Sequence, residues 1–244
     1  DPARAASLHQ RGCAGGIGDA SPRLGVAYQR AAGVTRDSAR AVELFQQGCA
    51  SGGMMGCTRL GALHETGIDV AADVGRAAAL YRQACDGGNI EGCAKLGALH
   101  ATGTGVPRDP ARAATLLARA CDSTVTFGCT GLARLYAEGN GVTRNDSAAV
   151  KLFQRACEDD DLTEACFEWA RLTELGRGTT RNYQRSLRLY LTACRDRHAE
   201  SCFRYSELIA TGASWRDPRD AIRYRRQACQ LGYVDACLPP KAAS

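Results

Sequence analysis

The sequence predicts an all-α fold, a right-handed α/α solenoid, on three observations. The cysteines form a ruler: Cys13, Cys49, Cys85, Cys121 and Cys157 stand 36 residues apart, followed by Cys194 after 37 and Cys229 after 35. Twelve residues before each of them, allowing for that drift, sits Asp or Asn: Asp1, Asp37, Asp73, Asp109, Asn145, Asn182 and Asp217. Short oxygen-bearing side chains in such a column are helix N-caps, accepting from the orphan amides of a first turn. Finally, Gly67, Gly103, Gly139, Gly176 and Gly212 each close a second helical stripe, as left-handed C-caps do. Self-similarity at a period of about 36 residues marks stacked supersecondary units that bury their apolar faces against one another.

The helix between cap and cysteine, type B, reads DPARAATLLARAC, DVGRAAALYRQAC or DSARAVELFQQGC. Counted from the cap, small or apolar residues fill offsets 4, 5, 7, 8 and 11, a helical stripe. Proline follows the cap at Pro2, Pro110 and Pro218, where its missing N–H costs nothing. The second helix, type A, begins at the partner cysteine: CTRLGALHETG, CAKLGALHATG, CTGLARLYAEG. Its offsets 3, 4, 6 and 7 share one face. Leu60, Leu96, Leu132, Trp169 and Tyr205 fill offset 3, and Leu63, Leu99, Leu135, Leu172 and Leu208 fill offset 6. The small column at offset 4 (Gly61, Gly97, Ala133, Ala170, Ser206) implies close approach of a neighbouring helix.

The whole chain, 1–244, is therefore expected to be a single repeat domain. A lone B helix at 1–13 precedes A/B pairs at about 21–49, 57–85, 93–121, 129–157, 166–194 and 202–229, with a tail from 237 to 244. Both ends depart from the consensus. At B offset 8, Phe45, Tyr81, Leu117, Phe153 and Tyr190 give way to His9 at the start and Arg225 at the finish. LPPKAAS follows Cys237, and paired prolines forbid another helix there. The lone first B helix implies an A partner upstream. The opening DPARAASLHQ has neither the basic nor the apolar region of an export signal.

Composition narrows the function classes. A formal charge of +5 is mild, whereas nucleic-acid binders carry a clustered basic footprint. No apolar run approaches the roughly 18 residues of a membrane span. A monomer without nucleic-acid partner, cofactor or transmembrane segment is expected.

The stretch GCAKLGALHATGTGVPRDPARAATLLARACDGG resembles a Sel-one-like repeat, a relative of the tetratricopeptide repeat. The C-x7-C pair of each repeat is similar to that of the Helicobacter cysteine-rich proteins and their relatives, which include a mitochondrial oxidase-assembly factor. The resemblance spans nearly the whole chain. It implies a disulfide-stapled solenoid acting as an interaction scaffold. Some members of that family carry a β-lactamase or penicillin-binding label, and the oxidase relative suggests a redox-linked role. Both remain as alternatives.

Zinc sites and thioredoxin-like chemistry favour C-x-x-C, which is absent here. Under the staple reading, two pairings compete. Joining across the short turns gives Cys49–Cys57, Cys85–Cys93, Cys121–Cys129, Cys157–Cys166, Cys194–Cys202 and Cys229–Cys237, and strands only Cys13, whose partner position holds Ser21. Joining within each A/B hairpin strands Cys13, Cys49 and Cys237. The first pairing is expected, with Cys13 a free thiol. Six such bonds imply an oxidising compartment: periplasm, cell surface or secretion.

No catalytic constellation emerges, and no metal site. The S-x-x-K of penicillin-recognising enzymes fails, because Gly92, Ala148 and Leu238 stand three residues before the only lysines. His64 and His100 occupy a core slot that holds Tyr28 and Tyr136 in other repeats. The TGTGV and EGNGV loops follow a helix, whereas a phosphate cradle follows a strand. Asn145-Asp146-Ser147 fits a glycosylation pattern but lies in the cap column.

Helix A offsets 2, 5 and 9 form the expected solvent stripe. In tetratricopeptide-like solenoids helix A lines the concave groove, so the resemblance makes Arg23, Arg59, Lys95, Glu168 and Arg204 at offset 2, with Arg134, Arg171 and Glu207 at offset 5, the candidate partner-binding residues. Residues 171–226 hold thirteen Arg against six acids, a net of +7, so an acidic partner segment or an anionic glycan suits the last repeats.

Overall fold

The computed structural model describes residues 1–14, 20–122, 126–160, 162–212 and 218–238, and every regular element among them is helical. The B helices are α1 (Pro2–Ala14), α3 (Ser38–Ala50), α5 (Val74–Asp86), α7 (Pro110–Asp122), α9 (Asp146–Asp160), α11 (Tyr183–Arg195) and α13 (Pro218–Gln230). Alternating with them run the A helices α2 (Ala20–Arg30), α4 (Met54–Thr66), α6 (Ile90–Thr102), α8 (Thr126–Glu138), α10 (Thr163–Leu175) and α12 (Ala199–Ala210), and a single turn, α14 (Val234–Cys237). The chain divides into two compact units, Asp1–Gly131 and Leu132–Ser244, with the division inside α8. In the first unit α1 to α7 each pack on the next in sequence, and in the second α9 to α14 do the same, as α/α repeats do.

The cap column forms as its chemistry demands. Asp37, Asp73 and Asn182 are extended residues whose side chains accept from the amides of Arg40, Arg76 and Arg185, all at 2.9 Å. Asp1, Asp109 and Asn145 do the same for Ala3, Arg112 and Ala148. Asn145 is thus a cap, in keeping with its column. Asp217 lies outside the described residues, as does the tail beyond 238. Left-handed glycines end α4, α6 and α10 at Gly67, Gly103 and Gly176. Helix α12 stops one residue early, on Thr211.

The small column at offset 4 has a steric reason. A Cβ on Gly61 would stand 2.8 Å from the Tyr81 ring, and one on Gly97 would stand 2.9 Å from Leu117. Tyr81 and Leu117, the offset-8 residues of α5 and α7, therefore nest against the A helix of their own pair. At that offset Phe45, Tyr81, Leu117, Phe153 and Tyr190 are all fully buried.

The A helices differ from expectation at their starts. They open three residues ahead of the cysteine, at Met54, Ile90, Thr126, Thr163 and Ala199, and the B helices run one or more residues past theirs. The connection inside CDGGNIEGC is therefore Gly87, Gly88 and Asn89 alone. Asn89 supplies the reason: its side chain caps α6 by accepting from the Gly92 amide at 2.8 Å, and it also accepts from the Thr58 hydroxyl at 3.0 Å. The cysteines sit in helical turns, not in a loop.

Candidate protein-interaction face

Six disulfides join successive helix pairs: Cys49–Cys57, Cys85–Cys93, Cys121–Cys129, Cys157–Cys166, Cys194–Cys202 and Cys229–Cys237. Each joins the last turn of a B helix to the first turn of the next A helix, with Cα atoms 4.4 to 4.9 Å apart. So close an approach needs a small residue just before the second cysteine. At Gly92 an added Cβ would lie 2.7 Å from the Ala84 Cβ. Ala165, Ser201 and Ala236 keep the position small elsewhere. Cys13 is the one free cysteine, and its Sγ lies against the Ser21 hydroxyl. Six disulfides point to an oxidising, non-cytoplasmic compartment.

In the first unit α4 touches both neighbouring A helices, α2 and α6, directly. On α4, flanked on two sides, Arg59 is half-buried, as is Lys95 on α6, whereas Arg23 on α2 is exposed. Arg59 reaches forward to Glu91 on α6 at 3.5 Å. Lys95 reaches back to Glu65 on α4 at 3.2 Å and also lies 5.6 Å from the centre of the Phe127 ring. Glu65 in turn accepts from the Tyr81 hydroxyl at 2.6 Å.

The second unit repeats this chemistry. Arg204 pairs with Glu174 at 2.8 Å and with Glu207 at 3.0 Å, and Glu174 accepts from the Tyr190 hydroxyl at 2.7 Å. Arg171 pairs with Glu168 at 2.7 Å. Arg134 meets Glu164 at 2.6 Å, and Glu164 also takes the Nε2 proton of His198 at 3.2 Å. His198 is the N-cap of α12, its Nδ1 accepting from the Ser201 amide, so one imidazole joins two repeats. The hydrogen bond from His198, aided by Arg134, holds the Glu164 carboxyl below its usual range. Burial first, and then the neighbouring carboxylate, pushes the Tyr81 and Tyr190 hydroxyls far above the usual tyrosine range.

The stripe that reads in sequence as a mostly basic ladder is thus a set of ion pairs, most of them between repeats. Of its cations Arg23 alone makes no ion pair among the described residues. Arg171 is balanced by Glu168, itself a sequence candidate, but the acids that balance Arg59, Lys95, Arg134 and Arg204 across repeats, Glu91, Glu65, Glu164 and Glu174, fall outside the offsets chosen from sequence. The two Tyr–Glu–cation clips carry a signal that would have found them. Where B offset 8 is Leu117, the matching acid and cation positions hold Ala101 and Gly131, so the three change together.

The remaining sequence candidates are structural. His64 and His100 are buried, each Nδ1–H donating to an exit-loop carbonyl, of Ala71 at 3.1 Å and of Pro107 at 3.2 Å. The TGTGV loop lies over the preceding B helix, where a Cβ on Gly105 would stand 2.6 Å from the Val74 carbonyl oxygen. Asp146, at the start of α9, receives Arg177 and Arg144, both at 2.7 Å, and these two hydrogen bonds hold its carboxyl far below the ordinary range. Among the described residues no three His, Cys, Asp or Glu side chains are grouped to hold a metal, and no helix is long and apolar enough to cross a membrane.

The Sel1 repeat family model matches six times, over residues 23–53, 55–89, 90–124, 126–161, 163–198 and 199–233. No curated protein matches the chain. Among solved structures, a protective antigen of uropathogenic Escherichia coli displaying an SLR fold is 24% identical, with a TM-score of 0.78 over 97% of this chain. The chain spans 50% of that antigen's length. A Sel1 repeat protein from Oxalobacter formigenes is 20% identical, with a TM-score of 0.77 over 93% of this chain and 87% of its own. An immunity protein from Pseudomonas aeruginosa is 22% identical, with a TM-score of 0.55 over 91% of this chain and 83% of its own. At these identities the likeness is one of fold.

Proposed function

The chain belongs to the Sel1 repeat family, and on that premise we propose that it is a non-enzymatic, exported scaffold whose helix-A faces bind a protein or peptide partner. Sel1 repeats generally mediate protein–protein interaction and are generally non-catalytic. The observation that carries the reading is the build of the face. Half-buried charged side chains are held at fixed positions by ion pairs between repeats, on a backbone stapled by six disulfides. A preordered surface loses little side-chain entropy on binding, which favours affinity. Because the pairs are nearly balanced in sign, the partner is read by a pattern of charge and by Phe127, which is 48% exposed, and not by bulk attraction. The chemistry of the rival reading is missing from the sequence, since no S-x-x-K occurs.

Photo-crosslinking residues at Ala62 and Ala98, between the pairs on α4 and α6, test the surface, with Arg82 on the outer side of α5 as the control. Crosslinks are expected from the first two positions in envelope extract. Charge reversal at Arg59, Lys95 and Arg204 is expected to abolish them. Equal labelling from Arg82, or recovery indifferent to the reversals, overturns the assignment. Nitrocefin turnover is expected to match a denatured control.

A further inference from the structure

Helix α13 differs from every other B helix on its outer side. Counting from the cap, offsets 2, 6 and 9 hold Arg219, Arg223 and Arg226, whereas no other B helix between α3 and α11 carries more than one cation at these three positions. Between them, at offset 5, stands Ile222. That offset is core elsewhere: Ala78 is 2% exposed, Ala114 6%, Val150 7% and Leu187 5%, but Ile222 is 64% exposed.

What covers the position elsewhere is the next A helix. Ala78 clusters with Leu96 and Leu99 of α6, and Leu187 with Leu208 and Ile209 of α12. After α13 the A helix is a single turn, α14. Arg225 stands where other B helices put an aromatic or leucine, and it donates to the carbonyls of Asp235 and Leu238 at 3.0 and 2.8 Å. Among the described residues nothing takes the place of the missing helix. Arg219, Ile222, Arg223, Arg226, Gln227 and Gln230 line an open depression of about 430 Å³. Neither Arg223 nor Arg226 makes an ion pair among the described residues, and the one acid on the helix, Asp220, lies at offset 3, beside the stripe.

We propose that this face of α13 docks an acidic amphipathic helix of a protein partner, which takes the place of a further A helix. The repeat geometry calls for a helix, because a helix buries offset 5 in the repeats before it. The charge calls for an acidic one. From Arg219 to Arg226 the stripe runs roughly 10 Å, two helical turns, so carboxylates recurring at i, i+4 and i+7 beside an apolar stripe match its length and can meet the Arg223 and Arg226 guanidiniums while small apolar side chains cover Ile222. The basic side chains of α1, with Arg4 and Arg11, argue against end-to-end stacking of a second copy on this face. The proposal rests on the scaffold reading but uses a surface apart from the helix-A pairs, so either can fail alone.

The test is fluorescence anisotropy of the full chain with two labelled helical peptides that share one Leu/Ala stripe, one bearing Glu at i, i+4 and i+7 and its twin bearing Lys. The Glu peptide is expected to bind and the Lys peptide not to. The triple variant R219E/R223E/R226E is expected to weaken binding at least about tenfold, and Ile222→Glu alone about fivefold, with Lys151→Glu on α9 unchanged and far-UV circular dichroism intact throughout. Equal binding of the twins, or indifference to the triple reversal, overturns the proposal. An unstructured polyglutamate or a sulfated oligosaccharide that binds as tightly, and equally well to Ile222→Glu, overturns it in favour of simple anion exchange. Self-association in sedimentation velocity that is abolished by Ile222→Glu overturns it in favour of a second copy.

Discussion

Cys85 and Cys93, and Cys13 and Ser21, hold matching positions at two joints between helices, with and without the covalent bond. In the first, two buried cysteines tie α5 to α6. In the second, the Cys13 Sγ rests against the hydroxyl of Ser21, which is 4% exposed, so the side chains still meet where a bond would form. Helix packing therefore places the two positions. The disulfide records that placement and acts by restricting the unfolded chain, as the entropic account of cross-links describes.

Breaking the stapled joint tests that account with the largest effect. The double variant C85A/C93A is expected to keep its fold and to lose about 2.5 kcal/mol locally, the loop-closure value for a nine-residue ring. Amides at the end of α5 and the start of α6 then exchange roughly seventyfold faster, with those of α11 and α12 unchanged. Loss of helix packing throughout α5 and α6 would mean that the bond shapes the joint.

Closing the open joint is the converse. Ser21→Cys is expected to form a seventh disulfide with Cys13 on oxidation and to slow exchange in α1 and α2 by up to about 2 kcal/mol. A mass that retains two free thiols contradicts the shared geometry.

The non-covalent clips contribute less. Tyr190→Phe removes one of the two groups donating to Glu174 and is expected to cost about 1 kcal/mol at neutral pH. The native hydroxyl titrates far above its unfolded range, so its contribution is complete below about pH 10 and is lost as pH rises beyond it. The wild type thus loses stability at alkaline pH more steeply than Tyr190→Phe, and two of its eight tyrosines, Tyr81 and Tyr190, should resist spectrophotometric titration until unfolding.

On the acid side Arg177→Met is expected to cost up to about 1 kcal/mol. Asp146 is held below the unfolded carboxylate range, so its contribution is complete above about pH 4 and disappears as pH falls through the lowered native value. The gap between variant and wild type in urea midpoints should therefore close on acidification. A gap independent of pH would remove Asp146 from the account.

Cap, glycine and cysteine columns were legible in the sequence because each depends on one residue type at one offset, which a period of 36 aligns. Helix starts were not. Asn89 caps α6 a full turn before the cysteine, and Gly53, Leu162 and His198 hold the corresponding positions without sharing a residue type. Most of the ion pairs were also hidden, because they span two repeats. Lys95 and Glu65, 30 residues apart, belong to different columns of the alignment. Only the joint change of three columns, Tyr81, Glu65 and Lys95 against Leu117, Ala101 and Gly131, betrays them. Which partner the face takes depends on the partner's own chemistry, which no column of this chain encodes.

The central claim is that the cysteines are staples between helix pairs and not a metal or redox centre. Non-reducing alkylation in denaturant, followed by intact mass and peptide mapping, tests it most directly. The account predicts one alkylated thiol, Cys13, and six disulfide-linked peptides whose cysteines lie eight or nine residues apart, Cys85–Cys93 among them. A Cys57–Cys85 link, or three alkylated thiols, would contradict it.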